Sequence, residues 1–170
     1  MKLKRVAFSL LVFTGLLLLI WHFGEREPAN LAINYDQIFI GDDVDAYLAR
    51  NEQSFDDIIK GVEKQVIWSG KPGIKTPIAI IYLHGFTATA QEIRPVPERI
   101  AAELNANIYF TRLSGHGRPA QMMADVSIER WMFDVGEALK VGSLIGQKII
   151  IMGTSTGGTL AAAAAVDKGM

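Results

Sequence analysis

Apolar residues recur along this chain with two different periods, and the points where one gives way to the other mark its elements. Over residues 77–83 (PIAIIYL), 106–112 (ANIYFTR) and 149–152 (IIIM) they run almost unbroken and are mostly β-branched or aromatic. Such runs predict strands, and IIIM reads as a strand buried on both faces, as in a parallel sheet. A shorter strand is expected over 65–68. Between the runs the spacing changes to three and four. Ile128, Trp131, Met132, Val135 and Leu139 predict a helix over 127–144 with Trp131 in the core, and Ile93, Val96, Ile100 and Leu104 predict another over 95–104. Ser127 reads as an N-cap, Val126 as a staple against Trp131, and Pro95 and Pro97 as the start of the earlier helix. The alanine-rich stretch 156–167 reads as a closely packed helix stopping at Lys168 and Gly169. Strands alternating with helices predict the α/β class, with a mostly parallel sheet covered on both faces.

The amino terminus follows neither pattern. Lys2, Lys4 and Arg5 precede residues 6–23, which hold no Asp, Glu, Lys or Arg. As a helix this segment would span about 27 Å, close to the hydrocarbon thickness of a bilayer. It predicts a transmembrane anchor over 1–23, with Trp21 and Phe23 at its far end and the basic flank held in the cytoplasm. The remainder is then expected on the extracytoplasmic, periplasmic side. A cleaved signal peptide, and hence secretion, is the alternative; the long apolar run and the lack of an A-x-A site favour the anchor. Residues 24–40 lack a steady period and read as a linker. From Asp42 an acid-capped helix is expected, with Val44, Tyr47 and Leu48 on one face. One domain is expected over 41–170.

Composition narrows the chemistry mainly by exclusion. The 170 residues carry a formal net charge of −1, without basic runs, repeats or low-complexity tracts, so nucleic acid is not an expected partner. There are no cysteines, which excludes a lipobox and so a lipid-anchored lipoprotein, and the three histidines are isolated. No metal site and no cofactor are implied.

Three motifs stand at predicted strand ends. Residues 148–158 (KIIIMGTSTGG) carry an apolar strand into Gly153-Thr154-Ser155-Thr156-Gly157 and on into a helix, the setting of a G-x-S-x-G nucleophile elbow. Gly153 and Gly157 leave room for the sharp turn that would hold the Ser155 hydroxyl at the carboxyl edge of the sheet. A phosphate-cradling loop also uses glycines at a helix N-terminus. No Lys follows them, however, and this loop lacks the G-x-G spacing of a dinucleotide fold. The second motif is His84-Gly85-Phe86-Thr87, directly after the 77–83 run, which reads as an oxyanion loop: backbone N–H groups stabilise a developing negative oxygen without reorganising. Gly85 permits close approach, and His84 is expected to brace the loop. Taken alone, this motif is equally a strand ending in a turn. The third is Leu113-Ser114-Gly115-His116-Gly117, again at a strand end. Glu92, Arg94, Arg112 and Arg118 fall on nearby loops, either to recognise a polar or acidic substrate group or to pair and hold the loops in place.

HGFT, LSGHG and GTSTGG, in this order and with these separations, resemble the α/β-hydrolase family, particularly its monoacylglycerol lipase and carboxylesterase branch, over about residues 65 to 170. The resemblance implies an α/β-hydrolase fold acting on a small-molecule acyl ester. It implies Ser155 as nucleophile, the backbone N–H groups of Phe86 and Thr156 as oxyanion hole, and His84, Gly85, His116, Gly153 and Gly157 as residues shaping the pocket. It also exposes a departure. The family's triad runs Ser, then Asp or Glu, then His, yet His22, His84 and His116 all precede Ser155, and Asp167 is the sole carboxylate after it. A serine without a base is a poor nucleophile. The expectation is therefore the amino-terminal part of a longer membrane-anchored esterase, its acid and histidine lying beyond residue 170, with the IIIM strand left as an open edge. The alternatives are a tethered binding domain of the same fold that lacks a working triad and, third, a nucleotide-binding domain.

Overall fold

The structure is a computed structural model that describes residues 2–25 and 30–166. Asp167, Lys168 and Gly169, expected to end the last helix, lie outside the described residues. Helix α1 (Lys2–Phe23) is continuous. From Lys4 to Phe23 it is long and apolar enough to cross a membrane, and none of that span is buried against the rest of the chain. Helix α2 (Val44–Gln53) begins at Asp43, whose carboxylate accepts the Ala46 N–H at 2.9 Å, and it buries Val44 and Leu48. There follow β1 (Gln65–Ile67), β2 (Thr76–Leu83), α3 (Val96–Glu103), β3 (Asn107–Phe110), α4 (Ile128–Ile145), β4 (Gly146–Gly153) and α5 (Thr156–Val166).

The four strands form one open sheet in the order β1-β3-β2-β4. Strands β3 and β4 run parallel to β2, and β1 is antiparallel to β3. The sheet is therefore mixed, and it divides two apolar layers. Ala79, Ile81, Leu83 and Tyr109 face the layer formed with α2, α4 and α5, whereas Ile80, Tyr82, Ile108 and Phe110 face the layer that contains Ala101 of α3. Helices thus lie on both faces. Strand period two sets this division, because successive side chains point to opposite sides. On α4 the predicted stripe holds: Met132, Val135 and Leu139 are buried, joined by Val141 and Ile145, while Ile128 and Trp131 pack on the same layer partly exposed. Each large apolar side chain so buried contributes about 1.5–3 kcal/mol.

Three expectations need correction. On α3, Val96, Ile100 and Leu104 are exposed, and Pro97 and Ala101 are buried instead. The aromatic rings of Tyr82 and Phe110 fill that layer from the sheet side, so only small helix residues fit over them. Strand β4 begins at Gly146, directly out of α4, three residues before the apolar run. A Cβ on Gly146 would stand 2.5 Å from both the nitrogen and the Cβ of Ala79, so only glycine allows this entry. Nor is β4 buried on both faces, since Ile149 and Ile151 pack toward α4 but Ile150 is 41% exposed. Among the described residues β4 pairs only with β2, as an edge strand.

Within the segment read as a linker, residues 33–40 pack against α4. Ile38 and Ile40 are buried, a Cβ on Gly136 would meet Ile33 and Ile38, and Lys140 Nζ donates to the carbonyls of Tyr35 and Ile38 at 2.6 Å each.

Candidate active site

Ser155 sits between the end of β4 and the first turn of α5 with φ at +49°, in the left-handed region that a β-carbon disfavours. Crowding around the turn explains why this serine carries the strain. A Cβ on Gly157 would lie 2.0 Å from the Leu83 carbonyl oxygen and 2.7 Å from that of His84, and one on Gly153 would lie 2.4 Å from the Gly157 oxygen. The two glycines press the turn against the end of β2, and the Thr154 N–H donates to the Leu83 carbonyl at 3.1 Å. Ser155 is exposed. Thr156 opens α5, and its N–H makes no hydrogen bond among the described residues, as expected of a first-turn amide.

The loop after β2 is held by reciprocal histidine bonds. The Leu113 N–H donates to His84 Nε2 at 3.0 Å, leaving Nδ1 to carry the proton and donate to the Gly85 carbonyl at 3.0 Å. In return the Thr87 N–H donates to His116 Nε2 at 3.1 Å, and His116 Nδ1 donates to the Ser114 carbonyl at 3.1 Å. The loop after β2 thus lends an amide to the histidine of the loop after β3, and supplies its own histidine nitrogen to that loop's amide. Both rings are buried and neutral. Desolvation lowers the His84 pKa to about 4 and also lowers that of His116.

This bonding orients a specific peptide. The Gly85 carbonyl accepts from His84 Nδ1 and from the Ala88 N–H at 3.2 Å. In a trans peptide C=O and N–H point in opposite directions, so the Phe86 N–H is aimed away from His84. It too makes no hydrogen bond among the described residues. The Phe86 side chain is exposed and packs edge-on to His116 and Trp131, with centroids 6.1 and 6.2 Å away. Trp131 donates from Nε1 to the Ser114 carbonyl at 3.1 Å, which puts this helix residue at the rim of the site.

The charged residues near the motifs are engaged by partners that the sequence did not reveal. Arg112 forms a buried, two-pronged pair with Glu52 of α2, with both contacts at 2.8 Å, and Arg118 pairs with Asp57. Arg94 pairs with Glu98 and lies over the Phe110 ring. Asp134 carries no sequence signal, being a lone carboxylate on a helix. It is buried, accepts the Ser114 N–H at 2.5 Å and the Ser114 hydroxyl at 3.1 Å, and has its pKa raised to about 6 by desolvation. The fold therefore brings the GTSTG turn, the HGFT loop and the LSGHG loop to one edge of the sheet. Asp167 lies outside the described residues, and His22 belongs to α1.

No family model matches the chain. A thermostable monoacylglycerol lipase of Bacillus sp. (strain H-257) is 32% identical over 84 residues, which cover 49% of this chain and 33% of that protein. Among solved structures, one described under LipS and LipT, two metagenome-derived lipolytic enzymes, superposes with a TM-score of 0.52 at 25% identity, covering 61% of this chain and 39% of that one. The chain thus spans about a third of the curated relative's length. With the three motifs gathered at one sheet edge, the chain is similar over this part to lipolytic enzymes, which supports an α/β-hydrolase-like family.

Proposed function

We propose that the chain carries the nucleophile and oxyanion half of a serine esterase with an α/β-hydrolase fold, anchored in a membrane by α1 with its catalytic domain outside the cytoplasm. The observation that carries this reading is the φ of +49° at Ser155, between two glycines with no space for a β-carbon. Strain of this kind persists where the surroundings impose it, and it clusters at functional sites. In the proposed reaction the Ser155 oxygen attacks an ester carbonyl carbon. The carbonyl π electrons move onto oxygen, where the N–H groups of Phe86 and Thr156 receive the charge. Collapse of this intermediate expels the alcohol and leaves an acyl-enzyme, which water then hydrolyses. Pre-aimed donors of this kind are worth about a hundredfold to a thousandfold each in rate.

A base must take the Ser155 proton. His84 and His116 each accept an amide proton at Nε2, with Nδ1 turned to a carbonyl. The reading therefore assigns that step to a histidine and an acid outside residues 1–170. A fluorophosphonate probe tests the nucleophile: the whole protein should label, and Ser155→Ala should not. No labelling of a folded whole protein would favour a tethered binding domain instead. Resistance of the membrane-bound protein to alkaline extraction tests the anchor, and release into the soluble fraction would favour a cleaved signal.

A further inference from the structure

The geometry points to Glu92 as a positioning residue that ties the oxyanion loop to the nucleophile turn through one carboxylate oxygen. The inference rests on the roles proposed above for Phe86 and Ser155. Glu92 ends a short turn, Ala90–Glu92, in which the Thr89 hydroxyl accepts the Gln91 N–H. Its Oε1 accepts the Gly85 N–H at 2.7 Å and the Tyr82 hydroxyl at 2.7 Å. The Tyr82 oxygen also lies 2.8 Å from Thr154 Oγ1. A phenol has one proton, and here it goes to the carboxylate. The Thr154 hydroxyl must therefore donate to Tyr82. The result is a directed chain from Thr154 through Tyr82 to Glu92, met from the other side by the Gly85 N–H.

Both ends of the chain fall beside a proposed catalytic group. Thr154 immediately precedes Ser155, and Gly85 immediately precedes Phe86. Gly85 admits the carboxylate, since a Cβ there would stand 3.2 Å from Glu92 Oε2. The Tyr82 ring is wholly buried between Glu92 and the turn, so the chain cannot swing away without opening the layer beneath it. The two halves of the site come from strands β2 and β4. Glu92 joins them at their ends by hydrogen bonds to a charged acceptor, the stronger class.

The test compares Glu92→Ala, Glu92→Gln and Tyr82→Phe in the whole protein, with Gln91→Ala in the same turn as control. Glu92→Ala should lower kcat for a short-chain ester about tenfold to a hundredfold with KM within about threefold, the pattern of a donor that has lost its aim. Gln keeps an oxygen that accepts both bonds, so Glu92→Gln should recover kcat to within about threefold of wild type. Equal losses in Glu92→Gln and Glu92→Ala, or an unchanged kcat in Glu92→Ala, would overturn the inference. Hydrogen exchange reads the link without turnover. Glu92→Ala should speed exchange both at 84–87 and at 153–157, whereas Gln91→Ala should leave both unchanged. Unaltered exchange at 153–157 overturns the coupling even in an active esterase. Should Glu92→Ala not fold, Tyr82→Phe cuts only the Thr154 arm, and exchange must then rise at 153–157 but not at 84–87. A wild type that fluorophosphonate does not label defeats the esterase reading alone, and exchange still decides the role of Glu92.

Discussion

The two sides of the candidate site are held by different forces. The turn at residues 153–157 is confined by exclusion: backbone atoms of β2 and α5 occupy the space where β-carbons on Gly153 and Gly157 would be, and Ser155 takes a left-handed conformation between them. The loops after β2 and β3 are fixed by attraction, through two neutral imidazoles that each accept an amide from the opposite loop. Steric confinement is indifferent to pH and intolerant of a single methyl group. Hydrogen bonding to an unprotonated ring tolerates volume but fails once the ring takes a proton. One site thus combines a sterically confined turn with loops held by neutral rings.

The largest effect should come from filling the confined side. Gly157→Ala drives a carbon against the Leu83 carbonyl, backbone that cannot step aside, and should cost about 3 kcal/mol or more and abolish fluorophosphonate labelling. A folded, labelling Gly157→Ala would show that the turn is looser than its geometry states.

On the bonded side the sign follows from the lowered pKa. The fold keeps His84 neutral down to about 4, whereas the unfolded chain takes its proton near 6.5. The stabilisation is therefore complete above about pH 6.5 and is lost as pH falls toward 4. From pH 7 to pH 5 this amounts to about 2 kcal/mol. His116, with its pKa also lowered, acts in the same direction. Asp134 opposes both, because its raised pKa of about 6 means that the fold gains a proton there in the same window. The measurement is therefore a difference. Denaturant unfolding of wild type and His84→Phe at both pH values should show wild type losing about 2 kcal/mol more than the variant on acidification. At pH 7 the variant itself should be less stable by about 1–3 kcal/mol, the cost of the unpaired Leu113 N–H. Parallel pH profiles would remove the imidazole brace from the account.

The smallest effect sharpens the contrast most. Ser155→Gly removes the β-carbon from the left-handed position and should raise stability by about 1 kcal/mol while abolishing labelling, a trade expected of strain held for function. A destabilised Ser155→Gly would mean that the serine side chain contributes packing rather than strain.

Much of this arrangement was legible in the residues, for identifiable reasons. Unbroken β-branched runs announced β2, β3 and β4, and the three-and-four spacing on α4 announced its buried face. Glycines flanking a serine at a strand-to-helix boundary announced the turn. The stripe on α3 misled because periodicity finds a face without saying what lies opposite, and two sheet aromatics left space only for Pro97 and Ala101. Gly146 was unreadable as the start of a strand because its reason is the neighbouring Ala79, distant in sequence. Glu52 and Asp57 carried no signal, and Glu92 was legible only as a loop carboxylate near the sheet edge, since a carboxylate's partner is named only when the chain folds back.

By itself the sequence determined what is local. These are the elements, the class, the apolar helix at the amino terminus, and the three loops that bear glycine, serine and histidine. Propensity, period and steric freedom are properties of neighbouring residues, so they can be read along one dimension. Only the tertiary structure decided which donor meets which acceptor: that His84 and His116 serve each other's loops, that Arg112 is neutralised from α2, and that one oxygen of Glu92 reaches both halves of the site. Hydrogen bonds and ion pairs depend on ångström-scale distances between residues far apart in the chain, and these distances exist only once the sheet has brought the strand ends together.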